Sequence, residues 1–132
     1  MSAKPENTFI QSVHRHLPRA VYHEKMANPY RGGTPDVWYS GSRRDLWVEY
    51  KYVPAIPREN VLPACSPLQL QWLRREYDKG RAVRVIVGCP TGGVLFADGE
   101  WEAPLPSEDF QARVLPRPGL AAWISEFTQG SL

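Results

Sequence analysis

Two acidic residues and one lysine are spaced so that they could bind a divalent cation and act on a phosphate. Asp36 follows Pro35, and Glu49 and Lys51 lie two positions apart in a segment rich in aromatic and β-branched residues. Side chains alternate between the faces of a β-strand, so Glu49 and Lys51 point to the same side as Trp47. An isolated E-x-K is more often an ion pair or a solvent-facing strand, because burying an unpaired charge is costly.

The position of Asp36 in a predicted hairpin favours the metal-site interpretation. Segments 36–40 and 45–53 both have strand composition, and the intervening GSRR is short enough for an antiparallel hairpin. Counting outward from the turn places Asp36 near the level of Glu49 or Lys51. Two carboxylates beside one ammonium group are unfavourable unless a cation lies between them. Magnesium uses one or two carboxylates plus phosphate and water, and the lysine can stabilise charge or position or deprotonate a water.

Hydrophobic periodicity and the positions of proline and glycine predict the elements around this hairpin. Ser66 is a natural N-cap, Pro67 takes the first helical position, and Gly80 follows the helix end. The remaining predicted elements are a helix over 5–17, a strand over 20–25, strands over 81–89 and 92–98, and a helix near 118–128. This order predicts an α/β sandwich in which helices flank a mixed sheet.

Composition indicates one ordinary globular domain. The chain has 132 residues, of which 42% are hydrophobic and 23% charged. No segment approaches the roughly 20 apolar residues that span a bilayer, and the N-terminus lacks an apolar signal core. We therefore expect a cytoplasmic protein. Cys65 and Cys89 fit a reducing compartment, and with the three histidines they show no zinc spacing.

Charge is unevenly distributed along the chain. The formal net charge is +2, and it divides into +6 over residues 1–89 and −4 over residues 90–132. The positive part contains every motif described above, which suits a polyanionic substrate. Ordinary variation of surface charge is the alternative explanation.

These motifs resemble the PD-(D/E)xK nuclease superfamily. The matching residues are Pro35-Asp36, a spacer of twelve residues, and Glu49-Tyr50-Lys51. The flank GGTPDVWY resembles the G-x-PD-hydrophobic pattern of the VRR-NUC and Holliday-junction-resolvase-like branch. Residues 66–73, SPLQLQWL, are similar to the S-x-x-Q-x-x-W-L helix of that branch, and the segment from Gly80 to Ile86 fits the strand expected next.

The resemblance covers residues 6–97 and implies a fold and an activity. The implied fold is a restriction-endonuclease-like three-layer sandwich, with one domain over residues 1–132 and an unmatched C-terminal extension over 98–132. The implied activity is magnesium-dependent hydrolysis of DNA phosphodiesters by an endonuclease, with manganese as a substitute metal. Branched DNA, as cut by a Holliday junction resolvase in recombination and repair, is the favoured substrate. Paired cuts in a junction would require a symmetric homodimer.

The resemblance also assigns roles to residues. Asp36, Glu49 and the backbone carbonyl of Tyr50 are the implied metal ligands. The family usually has an acidic residue on its first helix, and Glu6 is the position that fits; a glutamate stabilising the helix dipole is the alternative. Lys51 is the implied catalytic lysine, and Gln69 is expected to face the site and support it.

Four arginines are candidates for contacts with DNA phosphates, because guanidinium groups suit phosphate geometry. We expect them on loops next to the site: Arg31, Arg43, Arg44 and Arg58. Ordinary solvated surface explains each one singly just as well. Three alternative functions stay open at this point: a general nuclease of the same family, a non-catalytic nucleic-acid-binding module on the same fold, and a structural protein in which E-x-K is an ion pair.

Overall fold

The computed structural model describes residues 3–26 and 32–130 and is built around a central sheet. In chain order its elements are α1 (Ala3–His14), β1 (Tyr22–Lys25), β2 (Val37–Ser40), β3 (Asp45–Tyr52), β4 (Asn60–Val61), α2 (Pro67–Asp78), β5 (Val83–Cys89), β6 (Gly92–Phe96), a 3-10 helix (Glu100–Glu102), β7 (Leu105–Pro106), α3 (Ser107–Arg113) and α4 (Arg117–Gln129).

The central sheet is mixed, as predicted. Its five strands follow the order β1-β2-β3-β5-β6. The pair β3 and β5 is parallel, with α2 in the crossover, and the other three pairs are antiparallel. Strand β5 carries the longest buried run of these strands, which is expected for a strand covered on both faces.

Helices cover both faces of this sheet and complete three layers. One core cluster joins α1 and α4 to the sheet through residues such as Phe9, Val48 and Ile124. The other cluster joins α2 and α3 to the opposite face through residues such as Leu73 and Phe110. The predicted sandwich with helices on both sides of a mixed sheet is therefore confirmed.

The register of the β2–β3 hairpin fixes which side chains share a face. Val37 pairs with Val48, and Trp38 pairs with Trp47. Val37 and Val48 are fully buried against α1 and α4, so Trp38 and Trp47 lie on the face that α2 covers. Because side chains alternate, Glu49 lies on the α2 face of the sheet with the tryptophans.

The signals that predicted α2 are all used in the structure. Ser66 caps the helix, Pro67 begins it, and the helix ends at Asp78 with Lys79 as its C-cap. Gly80 follows with φ of +84°, a left-handed conformation that a side chain would disfavour.

Three parts of the structure differ from the sequence prediction. The first helix begins at Ala3 and ends at His14, so it starts before Pro5 and stops a turn earlier than predicted. The small antiparallel pair β4 and β7 was not predicted, since two-residue strands have no periodicity to detect. The chain after β6 holds a 3-10 helix and α3 besides the predicted C-terminal helix. In residues 3–26 and 32–130, no helix is both long and apolar enough to cross a membrane.

Candidate active site

Glu49 and Lys51 lie on the same face of β3, as the strand periodicity predicts. The Lys51 Nζ atom is 3.2 Å from Glu49 Oε2. Glu49 is 2% exposed, and its other carboxylate oxygen, Oε1, is buried with no hydrogen-bond partner among the described residues. A buried carboxylate oxygen without a donor is costly, and one lysine does not satisfy both oxygens.

Asp36 lies beside this pair because of the hairpin register. It precedes Val37, whose partner is Val48, so it is level with Glu49 on the neighbouring strand. Its Oδ2 atom accepts a hydrogen bond of 2.8 Å from the backbone N–H of Tyr50. Two acids from adjacent strands therefore meet beside Lys51, as the sequence count predicts.

Gln69 connects the helix α2 to the acidic strand. Its Nε2 donates to Glu49 Oε2 at 2.9 Å, and its Oε1 accepts from Lys51 Nζ at 3.0 Å. The same Oε1 accepts from the backbone N–H of Ser66 at 2.9 Å, while the Gln69 N–H donates to Ser66 Oγ at 3.1 Å. This arrangement is a capping box. The Gln69 side chain therefore caps the start of α2 and also binds Glu49 and Lys51.

The electrostatics of the cluster show an excess of negative charge. Burial raises the pKa of Glu49 to about 8, repulsion from Asp36 adds to the rise, and the charge and hydrogen bond of Lys51 oppose it. Burial also raises the pKa of Asp36, although the Tyr50 N–H, the Lys51 charge and contact with the Glu49 carboxyl group oppose the rise. A cation between the two acids would relieve both effects.

Glu6 on α1 lies at the margin of this cluster. Burial is the main cause that raises its pKa, Asp36 adds repulsion, and Lys51 and Lys25 oppose the rise. Glu6 therefore senses the same charges as Asp36 and Glu49. No hydrogen bond joins its side chain to another described residue, so its role as a metal ligand stays a prediction.

The donor set at this site suits a hard divalent cation. Asp36 and Glu49 supply carboxylate oxygens, and the orphaned Glu49 Oε1 is the atom that lacks a positive partner. Magnesium is bound in proteins by one or two carboxylates, with water and phosphate completing its shell. In the part of the chain that the structure describes, no three histidine, cysteine, aspartate or glutamate side chains are arranged as a metal cluster. The site accordingly offers two acids, with the Tyr50 carbonyl as a further predicted ligand.

The arginines are not gathered at the site as expected. Arg43 and Arg44 were predicted to lie next to it, and that placement is wrong. Both lie in the turn at the other end of the hairpin, where their backbone N–H groups bond to Thr128 O at 2.9 and 3.0 Å. The turn must lie there because Asp36 directly precedes β2 and the turn follows the other end of that strand. Arg58 is exposed on the loop before β4, and Arg31 lies outside the described residues.

A buried polar chain behind Tyr50 was not found by sequence reasoning. The Tyr50 hydroxyl is 2.6 Å from that of Tyr39, which is 2.7 Å from His14 Nε2. Burial and the nearby His23 lower the pKa of His14 to about 4, so this ring is neutral near pH 7. These hydrogen bonds hold the side chain of Tyr50, whose backbone N–H donates to Asp36. The sequence signal for this contact is a tyrosine at an inward position on each of two paired strands, Tyr39 and Tyr50. Buried tyrosine hydroxyls need hydrogen-bond partners, so the two could have been expected to pair.

Comparison with known proteins supports the fold. No family model matches the chain, and no curated protein matches it. The chain is similar to the structure of Hjc from Archaeoglobus fulgidus, a Holliday junction resolvase from an archaeal hyperthermophile, with a TM-score of 0.56 and 14% identity. The match covers 92% of this chain and 98% of the resolvase chain. The chain therefore has the fold of this resolvase, whereas the VRR-NUC branch is not confirmed.

Proposed function

We propose that this protein is a metal-dependent DNA endonuclease that acts on branched DNA. The observation that carries the proposal is the bonded cluster of Asp36, Glu49, Lys51 and Gln69, in which Glu49 Oε1 has no partner among the described residues. That cluster lies on a fold that is also the fold of a Holliday junction resolvase.

Each residue of the cluster has a separate role in the proposed phosphodiester hydrolysis. Asp36, Glu49 and the Tyr50 carbonyl would hold magnesium, with Glu6 acting through the metal or its waters. The bound ion would supply Lewis-acid catalysis at the phosphate. Lys51 stabilises the negative charge that develops as water adds to phosphorus and the bond to the leaving sugar oxygen breaks. Gln69 positions the Lys51 amine and the Glu49 carboxylate.

A structural ion pair is the second interpretation of the same residues. The distance of 3.2 Å between Lys51 and Glu49 favours it, because the pair is complete without a metal. It does not explain why Asp36 lies beside Glu49, since a second acid weakens an ion pair rather than completing it. A degenerate, binding-only member of the family would more often lose one of the three charged groups.

Branched DNA is the favoured substrate within this proposal. The resolvase similarity runs over 98% of the resolvase chain, so the likeness is to that whole protein rather than to a shared motif. A resolvase cuts two strands of a junction in a paired manner, which requires two sites related by symmetry. We therefore also propose a homodimer as the active form.

A cleavage panel tests this function directly. Purified protein is incubated with four-way junction, flap, single-stranded and linear duplex DNA, in magnesium, manganese, calcium or EDTA. We expect cutting in magnesium and manganese, little cutting in calcium because its coordination is looser, and none in EDTA. Symmetric paired cuts in the junction alone would support the resolvase assignment. Cutting of every substrate would replace it with a general nuclease.

Matched aspartate variants locate the activity on the chain. Asp36→Ala removes the acid beside Glu49, while Asp45→Ala removes an exposed acid at the other end of the same hairpin. We expect the first variant to lose activity on every substrate and the second to retain it. Equal activity of Asp36→Ala and the unmodified protein would overturn the site assignment.

A further inference from the structure

A cavity of about 320 Å³ lies beside the acidic cluster, between the loop that leads to Asp36 and one side of α2. Its lining residues come from these two segments alone and are Gly32, Thr34, Leu68, Gln71, Trp72 and Arg75. Neither the predicted metal ligands nor Lys51 line it, so the cavity is a separate feature that adjoins the candidate active site.

Close packing of the loop on the helix shapes this cavity. Gly33 has φ of +97°, and a Cβ atom there would collide with the backbone of Leu68. Leu68, Trp72 and Arg75 recur at helical spacing, so they form one stripe of α2 that faces the loop. Gln69, one residue along, turns toward Glu49 instead. The helix therefore presents the acidic cluster and the cavity side by side.

An aromatic row runs from the cavity across the sheet. The Trp72 and Trp47 ring centroids are 5.5 Å apart, and the Trp47 and Trp38 rings stack at 6.1 Å with 28° between their planes. Tyr22 continues the row at 5.7 Å from Trp38 and is 56% exposed. Aromatic faces of this kind stack on nucleobases with little preference for sequence, because every base has a π-face.

The row runs close to the predicted metal ligands. Trp38 lies two residues after Asp36, and Trp47 lies two residues before Glu49 on the same face of the sheet. A two-residue step along a strand is about 6.6 Å. A phosphate held at the two acids is therefore within one nucleotide of the aromatic surface.

The charge of the cavity suits an anion. Arg75 is its one charged lining residue, and no carboxylate lines it among the described residues. Arg75 Nε donates to Glu76 Oε2 at 3.1 Å, and its two terminal nitrogens have no partner in the part of the chain that the structure describes. Those two nitrogens carry four of the five N–H groups with which a guanidinium group can bind phosphate.

We propose that this cavity binds one unpaired nucleotide next to the scissile phosphate, with its base on Trp72 and its own phosphate on Arg75. The proposal rests on the proposed nuclease function and deepens it. It makes DNA with unpaired nucleotides near the cut the preferred substrate over continuous duplex, because a base paired in a helix cannot leave its stack without cost.

Binding measured without cutting tests the proposal separately from catalysis. Fluorescence anisotropy in calcium compares a blunt duplex, the same duplex with a single-stranded tail, and tails carrying one abasic nucleotide at successive positions. Arg75→Gln is matched by Arg74→Gln, which makes the same change one residue away on an arginine that pairs with Glu102. Trp72→Leu is matched by Trp123→Leu on α4, at the opposite face of the sheet.

The expected result is a selective loss of affinity for tailed DNA. Arg75→Gln and Trp72→Leu should each weaken binding of tailed DNA roughly tenfold and change binding of blunt duplex less than about twofold. The two control variants should change neither. One abasic position should weaken binding by the unmodified protein, and Trp72→Leu should not weaken binding of that DNA further.

Three results would overturn the proposal. The first is an equal loss of affinity for tailed and blunt DNA in the variants, and the second is no effect of an abasic nucleotide at any position. The third is loss of self-association in Trp72→Leu with DNA affinity unchanged, which would make the cavity an interface between two copies. Arg75→Gln changes an exposed side chain and keeps the test valid if Trp72→Leu unfolds. Selective binding without any cleavage would instead contradict the nuclease function and leave the nucleotide site standing.

Discussion

The two ends of the β2–β3 hairpin carry charged residues in opposite situations. At one end Asp36, Glu49 and Lys51 are drawn together, and burial raises the pKa of both acids. At the other end Arg43 is exposed and donates to Gly130 O at 3.1 Å, and the Arg44 guanidinium lies 4.7 Å from the centre of the Phe127 ring. The charges at the turn are therefore placed at little cost, whereas the two carboxylates at the acidic end repel each other.

This contrast indicates that the acidic end of the hairpin serves function, whereas the arginines at the turn serve packing. Burial raises the pKa of both acids and repulsion from Asp36 adds to the rise at Glu49, which makes the cluster unfavourable for folding. Groups with perturbed pKa values concentrate at functional sites, so function rather than stability explains this cluster. The arginines at the turn need no such reason, since backbone carbonyls of the α4 end and an aromatic ring already hold them. The comparison can be tested by changing each end in turn.

The largest effect is expected from removing the amine at the acidic end. Lys51→Ala should lower the cleavage rate at least about 100-fold, because the developing charge loses its stabilising group. Arg43→Ala at the turn should lower it at most about threefold, as expected for one peripheral phosphate contact. Single-turnover cleavage of junction DNA in magnesium measures both. Similar losses in the two variants would remove the distinction between the ends.

Stability should depend on pH through Glu49. Its folded pKa of about 8 lies above the unfolded value of 4.5, so the folded state binds the extra proton between these values. The metal-free protein should therefore lose stability as pH rises from 4.5 to 8, by on the order of 3 kcal/mol. Urea unfolding at pH 5 and pH 8 in EDTA measures this change.

A matched variant and added magnesium check the cause of that pH dependence. Glu49→Gln should abolish most of it, whereas Glu59→Gln, an exposed acid on the loop before β4, should leave it intact. Magnesium should raise the stability of the unmodified protein at pH 8 and have little effect on Glu49→Gln. A stability that rises between pH 5 and pH 8 in EDTA would contradict the assigned burial of this acid.

A smaller effect is expected from the amide that supports the acidic end. Gln69→Ala should slow cleavage roughly 10- to 100-fold, as is typical when a group that orients a metal ligand is lost. It should also cost about 1 kcal/mol of stability through the broken capping box. Gln111→Ala is the control, since that side chain is exposed and lies on α3, a helix that supplies none of the cluster residues. Cleavage kinetics and thermal unfolding of both variants separate catalysis from capping.

The smallest effect is expected at the turn. Arg44→Ala should reduce stability by about 0.5–1 kcal/mol, because the guanidinium loses its contact with the Phe127 ring. Cleavage of junction DNA should stay within about threefold of the unmodified protein. Arg81→Ala, an exposed arginine after α2, serves as the comparison for a general loss of positive charge. A cleavage loss above tenfold for Arg44→Ala alone would show that the turn contacts DNA near the scissile bond.

The sequence predicted the hairpin and its acidic end because these depend on local rules. Strand alternation placed Glu49 and Lys51 on one face, and the short GSRR turn brought Asp36 near the level of Glu49 or Lys51. The register of the folded hairpin then puts Asp36 level with Glu49. The cap at Ser66 and the stop at Gly80 bounded α2 for the same reason. Turn length, capping and periodicity are properties of neighbouring residues, so one chain is enough to infer them.

Only the tertiary structure decided which distant groups meet. Gln69 lies close to Glu49 and Lys51 because α2 crosses from β3 to the parallel strand β5, and no local pattern states where a crossover helix packs. Arg43 and Arg44 looked close to the acids in sequence, yet a strand of roughly 3.3 Å per residue carries the turn away from them. Sequence determines the alternation along each strand, whereas side-chain contacts between strands, helices and loops depend on how the whole core packs.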